Sequence, residues 1–119
     1  MSETVTTLQL PFPPSVNNLF RNAGKRRIDT ERYAAWKKEA AWSIRAQRPR
    51  PVAGRVAVTI EVVAPDNRRR DADNCNKACL DAIVAAGVIQ ADDFRVVREV
   101  TTRWVEDGSP CTVTVRSLP

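Results

Sequence analysis

The chain has 119 residues, 43% hydrophobic and 28% charged, a composition that excludes a disordered polymer and suits one domain with its own core. Nineteen lysines and arginines against 14 acidic residues leave a net charge of +5. Lysine occurs only at 25, 37, 38 and 77, so the excess is arginine, whose planar fork pairs with phosphate.

The first 20 residues lack the basic start and apolar run of a secretory signal, which places the expected protein inside the cell, in the cytoplasm. Leu8, Leu10 and Phe12 alternate with polar or small residues and predict a first strand that stops in the Pro11 to Pro14 cluster. Residues 15–28, SVNNLFRNAGKRRI, have no clean period and carry Arg21, Lys25, Arg26 and Arg27 around Gly24. They predict a long, flexible basic loop able to close over a ligand. Asp29 or Thr30 then caps a helix with Tyr33, Trp36, Ala40 and Ile44 on one stripe, ended by Pro49 and Pro51.

Val56, Val58, Ile60 and Val62 alternate with Ala57, Thr59, Glu61 and Val63, predicting a strand that delivers the chain to Pro65. From Asp73 to Ala86 the spacing is helical: Cys79, Leu80, Ile83 and Val84 form an apolar side, Asn74, Lys77 and Asp81 recur on another, and Gly87 fits the C-terminal cap. The longest apolar run, Ala82 to Ile89, is too short to cross a bilayer, so no membrane partner is expected. Phe94 to Val105 and Cys111 to Val115, on either side of a Glu106-Asp107-Gly108 turn, predict two strands paired as a hairpin. The order β-α-β-α-β-β predicts a single α+β domain over residues 1–119, a mixed sheet with helices packed on one face.

The chemistry concentrates in residues 68–77, RRRDADNCNK. Arg68, Arg69 and Arg70 call for a polyanion, and Asp71 and Asp73 form a dense acidic pair that a divalent cation can neutralise. Aspartates at a helix start can also be plain caps, which is the basis of the alternative reading, a non-catalytic basic nucleic-acid-binding module. Against it stand the arginine triplet and a second acidic pair, Asp92-Asp93, beyond the helix. In an extended segment those two side chains point to opposite faces, so one can join Asp71 and Asp73 while the other is solvated or caps the turn. Three carboxylates and water suit Mg²⁺ or Mn²⁺. With no histidine in the chain, an activated water is the expected nucleophile. Lys77, one turn from both Asp73 and Asp81, is either part of a surface ion-pair ladder or an electrostatic partner of the metal, with Asp81 orienting it. Cys75, Cys79 and Cys111 cannot form a complete disulfide set, and without histidine buried thiols are a better reading than zinc.

These residues carry a resemblance. The segments PFPPSVNN, RRRDADNCNKACLDAI and GVIQADDFRV resemble the RusA family of Holliday junction resolvases, small endodeoxyribonucleases often encoded in prophages. The middle segment is the most specific. The resemblance implies catalytic carboxylates at Asp71, Asp73 and Asp93, an essential lysine at Lys77, and Asn17 and Asn18 shaping the site or the DNA path. It further implies a homodimer, one site per subunit, making paired nicks in a four-way junction with Mg²⁺ or Mn²⁺. The segment LFRNAGKRR, with Phe20 as its one aromatic residue, departs from the more aromatic and basic stretch of many members.

Overall fold

The computed structural model describes residues 3–119. Its sheet is built from the alternating segments. In β1 (Val5–Leu10) Thr6, Leu8 and Leu10 face inward, and so do Cys111, Val113 and Val115 of the last strand, Cys111–Ser117. The apolar strand Val56–Val63 buries Val56, Ala57, Val58, Ile60 and Val62. Side by side, Leu8, Val113 and Ile60 make one row of the core and Leu10, Cys111 and Val62 the next. Matched rows of β-branched and leucyl side chains pin the register, because a one-residue slip would turn every one of them to water.

The basic segment is more ordered than its composition predicts. After β1, the prolines and a 3₁₀ turn (Val16–Asn18), it forms a hairpin, β2 (Phe20–Ala23) with β3 (Arg26–Asp29). Gly24, at φ +65°, occupies the first position of the two-residue turn, as a type II′ hairpin requires. The ribbon lacks apolar alternation because its tip faces water, which is why its sequence resembles a loop. Buried Leu19 anchors its base, where the Leu19 carbonyl accepts from Thr30 N–H at 2.9 Å.

Helix α1 (Glu31–Gln47) starts at Thr30, whose Oγ accepts from Tyr33 N–H at 3.2 Å, and buries the expected stripe Tyr33, Trp36, Ala40 and Ile44. It ends at Arg48, a left-handed residue at φ 49°, just before Pro49. Near its C-terminus Gln47 bonds both the N–H and the carbonyl of Gln9, covering the free edge of β1. The strand Val56–Val63 is β4. The second predicted helix is split: Ala72–Cys75 is a 3₁₀ turn and α2 proper is Asn76–Ala85, closed by Gly87 at φ +77°. Cys79 on α2 lies against Cys111, Sγ to Sγ 3.7 Å, which seats this helix over the sheet. No helix among the described residues is long and apolar enough to cross a membrane.

The expected hairpin of the last two strands does not form. β5 (Val97–Val105) runs parallel to β4, while β6 (Cys111–Ser117) lies antiparallel between β1 and β4, giving the order β1-β6-β4-β5. Burial explains the difference: β4 is the most apolar strand and takes a neighbour on each side, whereas β5, largely exposed, is suited to an edge. The connection Glu106–Pro110 passes over the end of β4, held by Val63 N–H donating to Pro110 O at 3.0 Å. The α+β class, the mixed sheet and the main element order stand as expected, with the β2–β3 hairpin added. Replacing Thr30 by alanine removes both the α1 cap and the bond from Thr30 Oγ to Asn18 O. Chemical denaturation is expected to show a loss of about 1 kcal/mol or somewhat more; an unchanged midpoint would contradict the cap.

Candidate active site

β4 ends at Val63 and releases the chain at Pro65 into the arginine loop, so the site begins where the buried strand stops. Asp66 organises this loop. Its carboxylate accepts from Arg68 N–H at 2.9 Å, from the Arg68 guanidinium at 3.1 and 3.2 Å, and from Arg70 Nη2 at 3.1 Å. The Arg70 and Arg68 bonds hold the carboxyl far below the usual carboxylate range. Arg70 also reaches over the Phe12 ring at 5.8 Å, tying the loop to the proline segment, while Arg69 is exposed and makes no ion pair among the described residues.

Asp71 is the extended residue that opens the 3₁₀ turn, and its side chain makes no capping hydrogen bond. The plain-cap reading therefore fails for Asp71. Asp73, in the first turn, is likewise exposed, and neither carboxylate is engaged by another side chain among the described residues. Asp71 lines a cleft of about 560 Å³ together with Arg68, Arg69, Arg70, Asn74, Asn17, Asn18 and Arg32, over an apolar floor of Phe12, Pro13, Pro14 and Trp36. The structure thus brings the arginine triplet, Asp71 and the two asparagines to one cleft. Arg21, Lys25, Arg26 and Arg27 do not line it. They are exposed on the β2–β3 hairpin, where the Arg27 guanidinium sits 4.2 Å from the Phe20 ring centre.

Lys77 faces a different recess. Its Nζ donates to Asp81 Oδ1 at 3.1 Å, and with Asp81, Asp92, Lys37, Arg45 and Arg48 it lines a groove of about 820 Å³ between the helices. The ladder of Asp73, Lys77 and Asp81 is half made. Asp73 lies in the 3₁₀ turn rather than one α-helical turn below Lys77, and only the Asp81 pair is present.

In the second acidic pair one carboxylate caps the turn, as strand geometry allows, but it is Asp93, the residue that the family resemblance assigns to the site. Asp93 caps the turn into β5: its oxygens accept from Arg95 N–H at 2.9 Å and from the Arg95 guanidinium at 3.1 and 3.2 Å, and its carbonyl accepts from Val96 and Val97. Asp92 is exposed on the groove beside Lys77 and Asp81. No three acidic or thiol side chains among the described residues stand close enough to hold a metal ion. By donor chemistry, the open carboxylates of Asp71 and Asp73 fit a hard divalent cation, whereas Asp93 fits only if Arg95 releases it.

The sequence model of the endodeoxyribonuclease RusA family matches residues 11–116, from the proline segment to the last strand. The chain is 36% identical over 97 residues to the crossover junction endodeoxyribonuclease RusA of Enterobacteria phage HK97, covering 76% of this chain and 80% of the relative. It is 36% identical over 102 residues to that of Escherichia coli K12, covering 82% and 85%, and 37% identical over 101 residues to that of Enterobacteria phage 82, covering 81% and 84%. The chain belongs to the RusA family.

Three residues that shape the site carry no functional signal in the spacing of the motifs. Asp66 and Arg95 are local clamps, and their signal is a structural one, an aspartate two or four residues before an arginine. Tyr33, whose hydroxyl donates to Asp81 Oδ2 at 2.9 Å, was assigned to the core by its helical spacing, and only the fold brings it to Asp81. Burial and then Asp81 push the Tyr33 phenol well up, so it stays a donor. The thiols are free and buried, Cys75 pushed up to about 11 chiefly by burial and Cys79 raised by its contact with Cys111 and by burial.

Arg95 holds the Asp93 carboxyl below its ordinary value, first through its side-chain bonds and then through its N–H. A carboxyl depressed in the folded state adds stability above its unfolded value of about 4, and that stability is lost as pH falls through the folded value. Wild type is therefore expected to exceed Arg95→Ala in denaturation midpoint at neutral pH, with the difference shrinking below about pH 4. A difference independent of pH would contradict the pair.

Proposed function

We propose that this protein is a structure-specific endodeoxyribonuclease that resolves four-way DNA junctions by paired nicks, using Mg²⁺ or Mn²⁺ and acting as a homodimer with one site per subunit. The observation that carries the reading is the pair of unengaged carboxylates, Asp71 and Asp73, at the head of α2, with Asp71 opening into an arginine-lined cleft. The names of the relatives, crossover junction endodeoxyribonucleases, supply the substrate class. Relatives from phages HK97 and 82 support a prophage or phage setting and action on DNA inside the cell.

In this reading Asp71 and Asp73 would hold the cation, and Asp93 could join them only if Arg95 were drawn away. A bound cation would supply Lewis-acid charge and lower the pKa of a bound water near the scissile phosphate. The chain's own residues do the positioning. Arg69, which makes no ion pair among the described residues, meets the phosphate backbone, and Arg68 and Arg70, held by Asp66, present their remaining donors in a fixed direction. Asn17 and Asn18 line the same cleft and guide the strand. Arg21, Lys25, Arg26 and Arg27 carry a second DNA arm on the hairpin, by charge rather than base readout. Lys77 lines the groove between the helices rather than this cleft, and the family resemblance gives its ammonium the role of countering charge that develops in the transition state.

Asp71→Asn and Asp73→Asn are each expected to retain junction binding in a gel-shift assay while losing cleavage in Mg²⁺ by about a hundredfold or more. Wild-type cleavage by both variants would overturn the site.

A further inference from the structure

The Lys77 side chain is 46% exposed at the start of α2, on a long stem that would sample many rotamers unaided. One acceptor fixes it, Asp81 Oδ1 at 3.1 Å, and the other oxygen of that carboxylate takes the Tyr33 hydroxyl at 2.9 Å. The aspartate is therefore held between two donors, one on each helix. Tyr33 itself cannot move: it is fully buried, Phe20 meets its ring edge-on at 5.7 Å, and Trp36 stacks at 6.4 Å. A tyrosine that served only the core could be phenylalanine; here the hydroxyl spans the helix interface to a charged partner of Lys77.

We propose that Tyr33 is a positioning residue for the cleavage reaction, acting through Asp81 to hold the Lys77 ammonium in place from α1. The inference rests on the role given to Lys77 above. It also links the basic hairpin to the reaction, because Phe20, the residue packed on Tyr33, opens β2 and lies under the Arg27 guanidinium. A hairpin pressed by DNA leans on the same ring that orients the lysine.

The test is a mutant cycle on a synthetic four-way junction with Mg²⁺, measuring the single-turnover cleavage rate at saturating protein, junction affinity and thermal midpoint. Tyr33→Phe keeps the ring and is expected to slow cleavage by about tenfold, the worth of one hydrogen bond to a charged group, while affinity is unchanged and the protein stays folded at the assay temperature. In an Asp81→Ala background the same change is expected to have no further effect on the rate, the non-additivity of a hydroxyl that acts through Asp81, whereas a purely structural role would appear as a loss of fold or affinity at the assay temperature. Wild-type cleavage by Tyr33→Phe, or an equal loss in both backgrounds, would overturn the proposal. Lys77→Ala, run alongside, separates the two claims. If it cleaves at the wild-type rate, the role of Lys77 fails and this inference with it; if it is inactive while Tyr33→Phe is unimpaired, this inference alone fails.

Discussion

The central position of β4 governs the placement of everything functional in this molecule. Its buried side chains require a neighbour on each side, so β6 pairs with one edge and β5 with the other. A parallel β5 forces the chain to cross back over the sheet, and α2 is that crossover. The Asp71 and Asp73 pair therefore stands at the start of the crossover, where β4 has ended, and the Asp92 and Asp93 pair stands where α2 has run out and β5 begins. Placing a site beyond the carboxyl end of a central strand is a general habit of sheets with parallel neighbours.

Charge in the site is organised by short, local contacts. Asp66 collects Arg68 and Arg70, and Arg95 collects Asp93, each across two to four residues of chain. These exposed pairs add little to stability, since solvent screens them. Their effect is directional: among the described residues Arg68 and Arg70 are committed to Asp66 while Arg69 makes no ion pair, and Asp93 is engaged by Arg95 while Asp71 and Asp73 are not engaged by another side chain. Phosphate competing for Arg95 is the physical event that would free the Asp93 carboxylate.

The parts that were legible in the sequence share one property, a strong local signal. The alternation in β1, β4 and β6 and the stripe of α1 follow from one buried face, while the Thr30 cap of α1 and the Gly87 stop of α2 are local backbone signals that residue type alone declares. What escaped depended on distant partners. The β2–β3 ribbon has too little buried surface to show a period, although Gly24-Lys25 is a two-residue turn signal. The partner of β5 was misread because adjacency in sequence favours a hairpin, and only the greater apolarity of β4 decides against it. Asp71 and Asp73 were readable as an open acidic pair, yet the 3₁₀ turn that sets them off the α2 register was not, since the helical spacing of the apolar residues continues through it. Tyr33 shows the same limit most sharply: its spacing declares a core residue, and its hydroxyl acquires a partner 48 positions away only when the helices pack.

Cutting of branched DNA by an arginine-flanked, cation-dependent carboxylate site is tested most directly by incubating the wild-type protein with a four-way junction and with a linear duplex of the same sequence, in Mg²⁺ and in EDTA, and mapping the ends produced. Symmetric nicks in opposing strands of the junction are expected, abolished by EDTA, with the linear duplex left intact. Cleavage that persists in EDTA, or that treats the two substrates alike, would contradict that activity.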